Sequence, residues 1–257
     1  MRSHTMRRHT MRIGIIPRIV CVTLLIAGSV HAYTNVRSEH DAALTLLKER
    51  LKDSPDDVKI LTEIGERLTL WMSNHEDERA EVPLATFYLQ KAQSLDPTNS
   101  LPVAWMGILT MVQAKSASLF DKKDIAKSGL ALLDKAVSMD PNQPKVRLLR
   151  GSVSVKLPDS FERHGQALED LLLVQGAVKA TPSLVETQNI SLCVLYLNLG
   201  KAYRHLADDE KALQHWELAL KYEPGRDENR QVEQLISSMV VSQNSGWARF
   251  SSWGYRR

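Results

Sequence analysis

Residues 193–226 read CVLYLNLGKAYRHLADDEKALQHWELALKYEPGR, and this stretch decides the fold. Pro224 sets its end: proline lacks an N–H and clashes with the preceding turn, so a helix running through ALQHWELAL has to stop there. Five and eight residues before the proline stand Ala219 and Trp216. A spacing of three puts a small and a large residue on one helix face. The small one lets a second helix approach, and the large one fills the space beside it. Gly200 falls in the apolar segment upstream, where a glycine inside a helix costs about 1 kcal/mol against alanine unless close packing compensates.

The same pattern recurs along the chain. Pro55, Pro97, Pro141, Pro182 and Pro224 are separated by 42, 44, 41 and 42 residues, each after a helix-like segment. Self-similarity at such a period marks a repeat array. Five residues before the proline stand Ala92, Ala136, Ala177 and Ala219, with Arg50 as the departure. Eight residues before it stand Leu47, Leu89, Leu133, Val174 and Trp216. A helix that cannot bury this face alone stacks on its neighbours.

Within residues 193–226, Tyr196, Leu199, Gly200 and Tyr203 belong to a first helix, and Ala212, Trp216, Ala219 and Pro224 to a second. This resembles the tetratricopeptide repeat (TPR) signature W-x2-L-G-x2-Y…A-x3-F…A…P, with aromatic substitutions only. Earlier units fit with stretching. Gly65, Gly107 and Gly151 precede their prolines by 32, 34 and 31 residues, against 24 for Gly200. The surplus falls in SNHEDERAEVP, KSASLFDKKDIAK and KLPDSFERHGQ, as longer helices or as enlarged loops. The unit ending at Pro182 departs most, with Arg150 beside Gly151 and Asp170 where a small residue belongs. Residues 38–54 supply a half-unit able to cap the array, and residues 228–242 read as an amphipathic capping helix.

The resemblance implies an all-α fold, a right-handed superhelical stack of antiparallel helix pairs, over residues 33–242. Two segments fall outside it. Residues 1–32 combine an arginine-rich start, an apolar run from Ile19 to Val30 and the small-residue pattern Val30-His31-Ala32, as a cleaved secretory signal does. The run is shorter than the roughly 20 residues of a membrane span. The expectation is an exported, most often periplasmic, protein without an integral span after cleavage; an uncleaved N-terminal anchor is the alternative. Residues 243–257 form an aromatic and basic tail with Trp247, Phe250, Trp253 and Tyr255. Cleavage would remove Cys21 and leave Cys193 unable to form an internal disulfide, so packing has to hold the fold.

The formal charge of +3 belongs to the leader. Residues 1–32 hold five of the 33 basic residues and none of the 30 acidic ones, which leaves the remainder at −2. A body without excess positive charge argues against a nucleic-acid partner. No nucleotide-binding loop, nucleophile elbow, HExxH or CxxC motif is present, so an enzyme, a cofactor and a metal site are not expected. His75-Glu76-Asp77-Glu78 reads as a solvated loop, because adjacent residues do not converge on one ion. His205, Asp208, Asp209, Glu210 and His215 read as capping and solvation of a turn.

In TPR proteins the first helix of each unit lines a concave groove that receives a peptide or helix. Carried over, the groove draws on Leu197, Lys201, Arg204 and His205 in the last unit. It draws on Ala104, Ile108 and Met111 around Gly107, and on Thr62, Glu66 and Thr69 around Gly65. That implies a non-catalytic scaffold or adaptor of the cell envelope whose partner is another protein or peptide. An accessory protein for a small molecule or envelope polymer is the alternative.

Overall fold

The computed structural model describes residues 36–75, 80–222 and 228–239. The leader, residues 76–79, Pro224 and the aromatic tail lie outside them. The chain divides into two compact units, Met1–Asp53 and Ser54–Arg257. In the first, the described part is one helix, α1 (36–53), with an Arg37–Asp41 ion pair at 3.6 Å one turn apart.

Ser54–Arg257 holds a stack of repeat units, each a pair of helices: the first α2 (Val58–Asn74) with α3 (Val82–Leu95), the second α4 (Ser100–Ser116) with α5 (Lys122–Met139), and the third α6 (Pro144–Ser154) with α7 (His164–Ala180). After one turn, α8 (Leu184–Thr187), come α9 (Leu192–His205) with α10 (Asp209–Leu220), and α11 (228–239). Among the described residues there is no strand, and no helix is long and apolar enough to cross a membrane. Local chemistry sets the starts. Asp57, Asn99, Ser191 and Asp208 accept backbone N–H groups of α2, α4, α9 and α10, satisfying donors that a helix N-terminus leaves orphaned. The second helices α3, α5 and α7 end at Asp96, Asp140 and Thr181, each followed by a proline of the series.

The pairs close on the glycines. A Cβ on Gly65 would overlap Leu89, and one on Gly200 would overlap the Trp216 indole. At Gly107 it would stand 2.9 Å from the Gly129 oxygen and 2.9 Å from Leu133 Cγ; at Gly151, 2.9 Å from Leu171 Cγ. Each large residue follows a small one by four: Ala85–Leu89, Gly129–Leu133, Ala167–Leu171 and Ala212–Trp216, all buried.

The third unit departs from the register counted back from its proline. Leu171, not Val174, meets the glycine, and Ala167, not Asp170, is the small residue. Eleven residues separate Leu171 from Pro182, against eight in the other units, so α7 runs about one turn further. Ala177 is accordingly half-buried, whereas Ala92, Ala136 and Ala219 are fully buried. The surplus residues take different forms. The second unit lengthens its helices to 17 and 18 residues; the third keeps an 11-residue first helix and a linker with a 3-10 turn at Asp159–Phe161.

That unit is also tied by charge. Asp170, fully buried, accepts from Arg150 Nε (2.7 Å), Arg150 Nη2 (2.9 Å) and Arg147 Nη1 (2.7 Å). Asp134 of α5 accepts from Arg150 Nη1 at 3.0 Å and from Arg163 Nη2 at 2.8 Å. Burial alone would loosen the proton of Arg150, but the bonds and charges of Asp170 and Asp134 outweigh it and raise its pKa. The network joins α5, α6 and α7 across a unit boundary. Both departures in sequence are therefore partners in one buried contact.

Candidate functional site

The first helices α2, α4, α6 and α9 pack side by side and form one face. Lys145, at the start of α6, reaches across α4 to α2. Its Nζ donates to Glu66 Oε1 at 3.0 Å and to the Asn189 carbonyl at 2.8 Å, and lies 5.8 Å from the centroid of Trp105. Side chains from α2 and α6 meet over the helix between them, so the face curls inward. Lys145 keeps only 9% of its side-chain surface exposed, and Glu66 17%. This end of the face is closed by its own ion pair.

Cations without such pairing stand further along. Lys115, in the last turn of α4, donates to the Ser73 carbonyl at the end of α2 at 3.0 Å. Lys156 follows α6, and Lys201 on α9 donates to Gln231 Oε1 of α11 at 2.9 Å. Desolvation, then the charge of Lys115, lowers the Lys156 pKa, against the pull of Glu228. Desolvation, then the charge of Lys156, lowers Lys201 to about 8, again against Glu228. Lys156 is exposed by surface area and yet desolvated. Lys156 thus feels the charge of Lys115, and Lys201 that of Lys156, with Glu228 opposing both effects.

Beside them, His205 at the end of α9 meets the ring of His164 edge to face, centroids 3.7 Å apart. Burial, and then His164, lowers the His205 pKa, with Asp159 opposing.

No family model and no curated protein matches this sequence. Among solved structures, a thermophilic TPR protein from Thermus thermophilus, TTC0263, is similar at 18% identity, over 81% of this chain and 96% of that one, with a TM-score of 0.56. The chain has the TPR fold. MamA (19% identity, 77% of this chain, 90% of that chain) and YrrB, a TPR protein with an unusual peptide-binding site (16% identity, 73% and 97%), align at TM-scores of 0.38 and 0.32.

On the TPR framework, the residues expected at the groove divide. Leu197 is 3% exposed, within the core shared by α7, α9 and α10, and its carbonyl accepts from Trp216 Nε1. Ala104 is fully buried. Neither offers a side chain to a ligand, because both are buried in the core. Met111 turns toward α5, its Sδ 2.9 Å from where a Cβ on Gly129 would stand, and Ile108 packs half-buried on the α4–α5 core. Thr62 and Thr69 are buried and donate back to the carbonyls of Val58 and Gly65, and Glu66 is spent on Lys145. Lys201 stands half-buried with the lysines; Arg204 and His205 are exposed, Arg204 paired with Asp209. Ile108 and Met111 are thus half-buried against the core, while Leu197 and Ala104 lie within it. Reading the sequence missed Lys115, Lys145 and Lys156, which stand at different distances from their units' glycines because the first helices differ in length.

Proposed function

We propose that this protein is a non-catalytic interaction scaffold that binds an acidic segment of another polypeptide along the stretch bearing Lys115, Lys156 and Lys201. The reading rests on the placement of three lysines toward the C-terminal ends of α4, α6 and α9, where Lys115 bridges to α2 and Lys201 to α11, and where burial and a neighbouring lysine lower the pKa of Lys156 and Lys201. Glu228 offsets this only in part, and a partner's carboxylate would relieve the remaining repulsion. An acidic partner then gains charge-assisted hydrogen bonds in a setting that water screens poorly.

The leader and the exported site of action belong to the same proposal. Support for them comes from the composition of residues 1–32. Intact-mass measurement of the exported protein is expected to give a chain beginning at Tyr33, and recovery of the full-length, membrane-bound chain would reject a cleaved signal.

The binding reading is tested with a labelled glutamate-rich peptide and with pull-down from the protein's own envelope fraction. Lys156→Gln together with Lys201→Gln is expected to weaken peptide binding at least tenfold in a chain that still melts cooperatively. Peptide binding at parental strength in a folded double variant would reject the lysine stretch as the site. Capture of a small apolar ligand or an envelope polymer in place of any peptide would favour the accessory-protein reading.

A further inference from the structure

We infer that Asp159, His164 and His205 form a binding site for a divalent transition-metal ion of the zinc class. The three residues come from two TPR units: Asp159 from the 3-10 turn between α6 and α7, His164 from the first position of α7, and His205 from the last of α9. One ligand-type atom of each lies within 4.8 Å of the others. Nothing in the repeat architecture requires two imidazoles and a carboxylate at this junction.

The state of His164 makes the second, independent argument. Its ring is 8% exposed, and Nε2 lies 3.0 Å from the Leu157 carbonyl oxygen and 3.4 Å from Asp159 Oδ1. Both oxygens face Nε2, so this is the ring nitrogen turned toward Asp159. Nδ1 is buried and has no hydrogen-bond partner. A buried polar atom left unsatisfied is costly and rare in native structures. An ion between His164 Nε2 and Asp159 Oδ1 would take the place of the hydrogen between them, with the ring's remaining hydrogen on Nδ1.

Bonds of about 2.0–2.2 Å to an ion require the three atoms to draw closer than they stand. Asp159 and His205 are exposed and can rotate inward, while His164 is held by its burial and its carbonyl. Two nitrogen donors and one oxygen suit zinc, cobalt, nickel or copper and disfavour magnesium and calcium. A bound ion would clip the linker of the third unit to the end of α9 in the fourth, beside the lysine stretch.

The test uses the full chain, stripped of metal and titrated with Co2+, followed by displacement with Zn2+. One equivalent of Co2+ is expected to give visible ligand-field bands that Zn2+ abolishes and Mg2+ does not. His205→Gln and Asp159→Asn, both on exposed side chains, should each weaken Co2+ binding at least tenfold and lose the rise in melting temperature that Zn2+ gives the parent. His215→Gln, whose ring faces the Lys211 carbonyl instead, should leave both unchanged. Absence of Co2+ binding would overturn the assignment. So would binding that persists at parental strength in His205→Gln and Asp159→Asn, as it would if the histidines of residues 1–32 were the ligands.

Discussion

The backbone of Gly200 lies directly against the indole of Trp216, and Trp216 Nε1 donates to the Leu197 carbonyl at 3.2 Å. A first helix carries no side chain at the point where its second helix crosses, and the largest residue of the pair fills the space. Alanine at position 200 gains up to about 1 kcal/mol of helix propensity. The ring it meets is 1% exposed and has no room to retreat. Gly200→Ala is therefore expected to lose about 1–3 kcal/mol by overpacking, and Gly200→Leu more. Gly176 supplies the contrast: it lies inside α7 with nothing within 4 Å of a Cβ. Gly176→Ala should gain about 0.5–1 kcal/mol. Urea unfolding of both variants checks the pair; a stabilised Gly200→Ala would contradict the contact.

Asp170 holds two arginines below the surface, so removing it exposes the cost of their charge. Asp170→Ala leaves Arg150, 7% exposed, without its bidentate partner and is expected to destabilise the fold by about 3–5 kcal/mol. Arg150→Leu combined with Asp170→Leu should recover the part of that loss due to Arg150, because apolar residues replace the buried pair at little net cost while Arg147 still lacks Asp170. Chemical denaturation of the single and double variants reads the difference. Equal losses in the two would show that the network contributes more than the avoidance of a stranded charge.

Acidic-peptide affinity is expected to depend on pH through Lys201. Without ligand Lys201 loses its proton near pH 8, and a bound carboxylate restores its pKa toward the ordinary lysine value of about 10.4. Below pH 8 the ligand meets a charged site; above it, binding has to take up a proton. Affinity should fall about tenfold between pH 7 and pH 9, and Lys201→Gln should flatten the profile. In the ligand-free protein the sign is opposite. The unfolded chain holds this proton more tightly, so the cost of charging Lys201 is full below pH 8 and fades as the pH rises toward 10. Calorimetric titration at both pH values checks the first statement, and melting against pH the second.

The helix pairs were legible in the sequence because their signals are local. A proline ends a helix wherever it stands, and small and large residues three or four apart share a helix face whatever surrounds them. Gly200, Ala212 and Trp216 could therefore be assigned before any contact was known. The register of the third unit was not legible, since counting back from Pro182 lands on Val174 while the helix crossing selects Leu171.

The site lay beyond the sequence for the same reason on a longer scale. Whether a first-helix residue faces the groove or the next unit depends on the rotation between neighbouring pairs, which placed Leu197 and Ala104 in the core. Lys145 and Glu66 are 79 residues apart and touch because the face curls across α4. His164 and His205, from neighbouring repeat units, likewise meet only through the stacking. Proline and glycine act through the backbone of their own helix, so one chain position carries their meaning. A charged or ligating side chain acts through whatever stands a few ångströms away, and in this protein the stacking of the repeats decides which residue that is.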